Sequence, residues 1–205
     1  MGIISGALTG ARFRVEGDLP PEWRERFRER LNDLAFRDPA DRLGKEEVLG
    51  WVLTQNLLDT DFTDFNKWLY GEWALFALRT DKKKLPARLF RATLEKRCEA
   101  WARDRGVERV PNAVKTELKE KLEEEWLARA LPSVAVTEAV WNVNTGVLLL
   151  GALSDRSVDA FRKRFFQTFG LKLLPWSPLD WLDSRSEAER LLARVPSELT
   201  AAGGA

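Results

Sequence analysis

The chain reads as an α+β protein: a mainly antiparallel sheet body built from two β-rich halves, with an inserted antiparallel two-helix arm. Three observations predict this class. Strand-like segments rich in Trp and Phe lie on both sides of the middle of the chain. Between them, 82–131 holds two consecutive stretches in which apolar residues return about every four positions. Gly106 and Pro111 bracket the break between those stretches, and so short a connection favours antiparallel neighbours. The division that follows is 1–81 for the first half of the body, 82–131 for the arm, 132–183 for the second half and 184–205 for a C-terminal helix and tail.

Each element has its own warrant. In 5–15, Ala7, Ala11, Phe13 and Val15 share one face and Arg12 and Arg14 the other, which predicts a strand. Pro20 and Pro21 open a helix whose apolar stripe is Trp23, Phe27, Leu31 and Leu34, and Asp38-Pro39 is its expected end. A short apolar strand over 48–54 contains Gly50-Trp51-Val52. Asp59, Asp61 and Asp64 follow. Their spacing would suit Ca²⁺ or Mg²⁺, but the glycine turn and closing Glu of an EF-hand loop are missing, so a solvated turn is the preferred reading. The stretch 67–79 is expected to be one long strand with aromatic residues at 68, 70, 73 and 76.

The arm comes next. Pro86 sits where a missing N–H costs little, and Phe90, Leu94, Cys98 and Trp101 form the first helix's buried stripe up to Gly106. Val114, Leu118, Leu122 and Trp126 form the second helix's stripe, and Pro132 stops it. A hairpin over 134–153 turns at Asn144-Thr145-Gly146, and its second strand, Val147-Leu148-Leu149-Leu150, is apolar on both faces and so expected to be central. Ser154 or Asp155 caps a helix carrying Val158, Phe161, Phe165 and Phe169, which Gly170 ends. A short strand over 171–174, an irregular close or a short helix holding Pro175, Pro178 and Trp181, a helix over 185–195 and a frayed tail from Thr200 complete the reading.

Composition narrows the function. The 205 residues are 44% apolar and 32% charged, ordinary for a globular protein. There is no His, which removes imidazole metal sites and His-activated nucleophiles. The single Cys98 fits a packed thiol in a reducing compartment. No 18-residue apolar run suggests a membrane span, the N-terminus has no signal-peptide pattern, and position 6 is Gly rather than the Ser or Thr of a myristoylation site. No cofactor and no metal are expected, and the expected location is the cytoplasm. Charge is segregated: 82–119 holds twelve Lys/Arg against five acids, while the whole chain is only +1.

Certain motifs resemble a family. The strand at Arg12-Phe13-Arg14-Val15, the Gly50-Trp51-Val52 triplet and Lys83-Lys84-Leu85-Pro86 are followed by a charged helix and a second helix ending in Leu131-Pro132. Then come Trp141-Asn142-Val143-Asn144-Thr145-Gly146-Val147-Leu148 and, after a helix, Leu173-Leu174-Pro175. In this order, over 5–182, they resemble the recombination-associated RdgC family; 55–66 follows no family pattern. The resemblance implies a DNA-binding protein linked to control of the RecA recombinase, a homodimer that encloses duplex DNA in a basic channel, and a nucleoid-associated location. Nine Trp and eleven Phe, more large aromatics than a small body easily hides, also point to a homodimer.

Two function classes are carried forward. The first is binding of double-stranded DNA without sequence preference, because Lys and Arg displace counterions from phosphates and need no base-reading motif. Charge clustering, rather than the family, selects Lys82, Lys83, Lys84, Arg88 and Arg91 as its contact residues. The alternative is a protein–protein interaction module that uses the helical arm, with Trp101 and Trp126 as anchors. An enzyme is disfavoured, since no glycine-rich phosphate loop and no recognisable pair of carboxylates is present.

Overall fold

Alternation of Arg12 and Arg14 with Phe13 and Val15 produces the first strand, β1 (Ala11–Glu16), with Phe13 buried and both arginines exposed. The computed structural model describes residues 9–38, 47–176 and 190. Helix α1 (Trp23–Asp33) buries Phe27 and Leu31, the middle of its expected stripe. It stops at Asp33, well before Asp38-Pro39. The cause is a long-range pairing. The Trp51 N–H donates to the Leu34 carbonyl at 3.0 Å, and the Phe36 N–H donates to the Trp51 carbonyl at 2.8 Å. Strand β2 (Val48–Val52) accepts this crossing only because residue 50 is Gly: a Cβ there would lie 2.3 Å from the Phe36 Cα.

The single strand expected over 67–79 is in fact a turn and a hairpin. A 3₁₀ turn (Phe65–Lys67) leads into β3 (Leu69–Tyr70), and β4 (Trp73–Lys83) runs back antiparallel to it. Gly71 takes φ 62° between them, the left-handed position that a two-residue loop demands. Strand β4 then continues through Lys82 and Lys83, paired with Ser133 and Pro132.

Helices α2 (Ala87–Arg105) and α3 (Asn112–Arg129) follow. Pro86 precedes α2, and Gly106 ends it in the left-handed conformation. The start of α2 meets the end of α3 through an edge-to-face contact of Phe90 and Trp126 with centroids 5.6 Å apart, so the pair folds back on itself. Strand β5 (Pro132–Asn142), the Asn144-Thr145-Gly146 turn and β6 (Val147–Leu150) form the expected hairpin. Helix α4 (Asp155–Phe169) is capped by Ser154, whose hydroxyl accepts from the Ser157 N–H. Strand β7 (Lys172–Pro175) is the last described strand, and it takes in Pro175, expected in the irregular close, because Pro175 pairs with Phe13 of β1. Of the expected helix over 185–195 only Arg190 is described; Ala7, Pro39, Pro178, Trp181 and the tail from Thr200 lie outside the described residues.

The strands make one antiparallel seven-stranded sheet, in the order β2-β4-β5-β6-β1-β7, with β3 on β4. Strand β6 is central, as its apolar run requires. Helices α1 and α4 bury Phe27, Leu31, Phe161, Phe165 and Phe169 in the same cluster as Trp51, Phe76, Trp141 and Leu148 of the sheet. Burying side chains of this size fully stabilises by about 1.5–3 kcal/mol each. The Trp51 Nε1–H donates to the Thr168 hydroxyl at 2.8 Å, so its polar edge is satisfied inside the core.

Candidate nucleic-acid interface

The basic run Lys82-Lys83-Lys84 reads as one patch in sequence, but the pleat of a strand sends successive side chains to opposite faces. Lys82 and Lys84 continue the row of Leu78 and Thr80, the row that faces the core. Lys83 lies on the other face. Its Nζ donates to the Leu127 carbonyl at 2.6 Å and so ties the last turn of α3 to the end of β4. A cation at a helix C-terminus also complements the dipole there. Lys83 is half-buried and already engaged.

The sheet is longer than the helix layer that covers it. Beyond the N-terminus of α4, the far ends of β4 and β5 form a bare ledge, and a cleft of about 170 Å³ sits there. Thr80 and Lys82 line it from β4, Lys84 from the residue after β4, Ser133 and Thr137 from β5, Arg156 and Ser157 from α4, and Glu47 from the residue before β2. One Glu47 carboxylate oxygen accepts a short hydrogen bond from the Arg156 guanidinium and lies 4.0 Å from the Lys82 ammonium. A second opening at the base of the arm adds Arg129 beside Lys84, with Pro86 and Trp126.

Arg88 and Arg91 are exposed on the first turns of α2 and line neither opening. Of the five residues selected by charge clustering, two therefore share a cleft, two stand on the arm, and one is turned away. Arg156 escaped the sequence reading because it is far along the chain. One signal was available: a cation in the first turn of a helix works against the helix dipole, so its position there asks for another reason.

Elsewhere several charges are paired with one another. Arg97 and Glu125 pair bidentately across the two helices, at 3.2 and 2.6 Å. The hydrogen bond from Arg97 holds the Glu125 carboxyl below its ordinary range. Lys121 pairs with Glu117 at 2.6 Å. In the loop after β2, the Lys67 ammonium lies 3.0 Å from Asp59 and 3.4 Å from Asp61. The Asp61 N–H, donating to Asp59, and the Thr63 hydroxyl, donating to Asp61, lower both carboxyls. These acids serve a turn. Among the described residues, no three His, Cys, Asp or Glu converge in a way that would hold a metal ion.

The candidate protein anchors are partly used inside the arm. Trp126 packs on Phe90, and the Arg105 guanidinium lies 4.3 Å over the Trp101 ring. Most aromatic residues of the body are core, among them Trp51, Trp68, Trp141 and eight of the eleven Phe. The high Trp and Phe content therefore gives no argument for a second subunit. Among the described residues, no helix is long and apolar enough to cross a membrane.

Comparison with known proteins adds one finding. A family model described as "Putative exonuclease, RdgC" matches residues 12–190, most of the chain. No curated protein sequence matches.

Proposed function

The chain belongs to the RdgC family, and from that premise we propose that it binds double-stranded DNA without sequence preference, as a nucleoid-associated protein that modulates RecA-dependent recombination or replication. The observation that carries this reading is the convergence of Lys82, Lys84 and Arg156 on one ledge, with Arg129, Arg88 and Arg91 on the adjoining arm. Cations from a strand, a helix and an arm, none of them fixed in a base-reading element, suit phosphates rather than base edges. Hydroxyls of Thr80, Ser133, Thr137 and Ser157 offer further donors to phosphate oxygens. A homodimer that surrounds the duplex is part of the proposal and rests on the family alone.

The family description names an exonuclease. The reading put forward is binding rather than cleavage, because the Asp59 and Asp61 carboxylates serve a turn and, among the described residues, no three His, Cys, Asp or Glu come together as a metal-dependent nuclease site would need. The experiment is a duplex-binding titration across salt concentrations, with nuclease activity and oligomeric mass measured in the same buffers. Arg88→Ala with Arg91→Ala should flatten the salt slope by about 0.9 for each phosphate left without its cation. Binding that ignores both salt and these changes, and responds instead to Trp101 or Trp126, would favour the protein-interaction module.

A further inference from the structure

Glu47 is the one acidic side chain lining a cleft that also holds Lys82, Lys84 and Arg156. Its carboxylate does not sit at the rim as a spectator. A single oxygen is shared by two cations that come from elements far apart in sequence, the end of β4 and the first turn of α4. Hydroxyl-bearing residues of β4, β5 and α4 complete the lining. Two amines, one guanidinium and several hydroxyls are the usual complement of a phosphate group, with its negative charge and its multiple acceptor oxygens. A lone carboxylate is smaller and carries less charge than such a set is able to satisfy.

We infer that this cleft is a phosphate-binding pocket and that Glu47 holds it closed as an internal competitor. An incoming phosphate takes over Arg156 and Lys82, and Glu47 swings out to water. No covalent step is involved, only an exchange of one anion for another. The inference deepens the DNA-binding reading and rests on it for the origin of the phosphate, a phosphodiester of the duplex backbone. The device would make DNA contact conditional, since each phosphate must outcompete a tethered carboxylate. The displaced ion pairs are partly open to solvent, with Arg156 72% and Glu47 28% exposed, and pairs in contact with water are weak, so the competition is one that a phosphate is able to win.

The test compares the unaltered chain with Glu47→Gln and Arg156→Ala. Inorganic phosphate is titrated first, with amide and guanidinium NMR shifts at the cleft as the readout. Duplex DNA is then titrated across salt concentrations. Glu47→Gln is expected to bind phosphate roughly threefold more tightly, as the loss of solvent-accessible ion pairs of modest strength implies. Its salt slope on duplex DNA should steepen by about 0.9, one further phosphate neutralised. Arg156→Ala should lose phosphate binding, and its 72% exposed side chain makes it a safe substitution for folding. If DNA binds with a normal salt slope but neither variant changes phosphate or DNA binding, the inference is overturned and the DNA-binding reading stands. If phosphate binding responds to both variants while no variant binds DNA, the cleft is a site for free phosphate and the DNA-binding reading fails.

Discussion

The body and the arm are built on different terms. The body closes a seven-stranded sheet over fully buried Trp51, Trp68, Trp141, Phe76 and Phe161. The arm fully or nearly buries only Leu122 and Leu127, and α2 has no buried residue among its 19. Its helices hold together through Phe90 on Trp126, the Arg97–Glu125 pair and the Lys83 anchor. A protein that needed its basic helices only for stability would have buried more of them. The difference teaches that the body supplies the folding free energy and the arm carries charge at little cost to the fold.

The largest expected effect would test that division. Phe76→Ala should destabilise by about 4 kcal/mol, in the range for emptying an aromatic core position. Trp126→Ala should cost roughly 1 kcal/mol, about half of what full burial of a large apolar side chain contributes. Denaturant melts of both variants give the ratio, and near-equal losses would erase the contrast between body and arm.

A second effect lies on the outer face of the sheet. Asp81, 1% exposed, accepts two hydrogen bonds from Arg79, whose guanidinium lies 4.2 Å over Phe36. Asp81→Ala leaves that cation, 12% exposed, without its carboxylate and with the Leu57 carbonyl as its remaining acceptor, and should cost about 3 kcal/mol. This is a body effect from a charged residue. A melt indistinguishable from the unaltered protein would show that charge in the body is as dispensable as charge on the arm.

The smallest effect is one of pH, in the loop between β2 and β3. Asp59 and Asp61 are held below their ordinary value of 3.8. Their contribution to the folded state is therefore complete above that value and lost as pH falls through their lowered folded values. Amide NMR shifts of Asp61 and Thr63 should move only below pH 3.8, while the core signals of Trp51 and Trp141 hold. Movement near neutral pH would contradict the assignment.

Local pattern foretold most elements because apolar period and turn chemistry act locally. The stripes of α1 and α4, the Gly106 stop, the Asn144-Thr145-Gly146 turn and the central β6 were all legible, whereas the stripe of Phe90, Leu94, Cys98 and Trp101 expected to be buried is only half-buried, because α2 packs on α3 alone and not on the sheet. Three features were not. The β3–β4 turn was hidden because Tyr70-Gly71-Glu72-Trp73 keeps aromatic residues on both sides of its glycine. Helix α1 ended early because Leu34 and Phe36 pair with Trp51, a contact that no local propensity encodes. Lys82-Lys83 was expected in the arm, beyond a strand ending at 79, and is strand, because the ladder with β5 overrides a polar run. The candidate site suffered from that last point. A linear cluster chose Lys83 with its neighbours, whereas the pleat separates it from them. Arg156 and Glu47 joined the site only through the packing of α4 and β2.

The central claim is that Lys82 and Lys84 face the phosphate ledge while Lys83 serves the fold. The most direct measurement is the salt dependence of duplex binding for Lys82→Ala with Lys84→Ala, set against Lys83→Ala alone. The double variant should keep its melting curve, and its slope should fall by about 0.9 for each phosphate no longer neutralised. Lys83→Ala should keep the slope and instead loosen the last turn of α3, seen as faster amide exchange there. A result in which Lys83→Ala flattens the slope as much as the double variant would contradict the account.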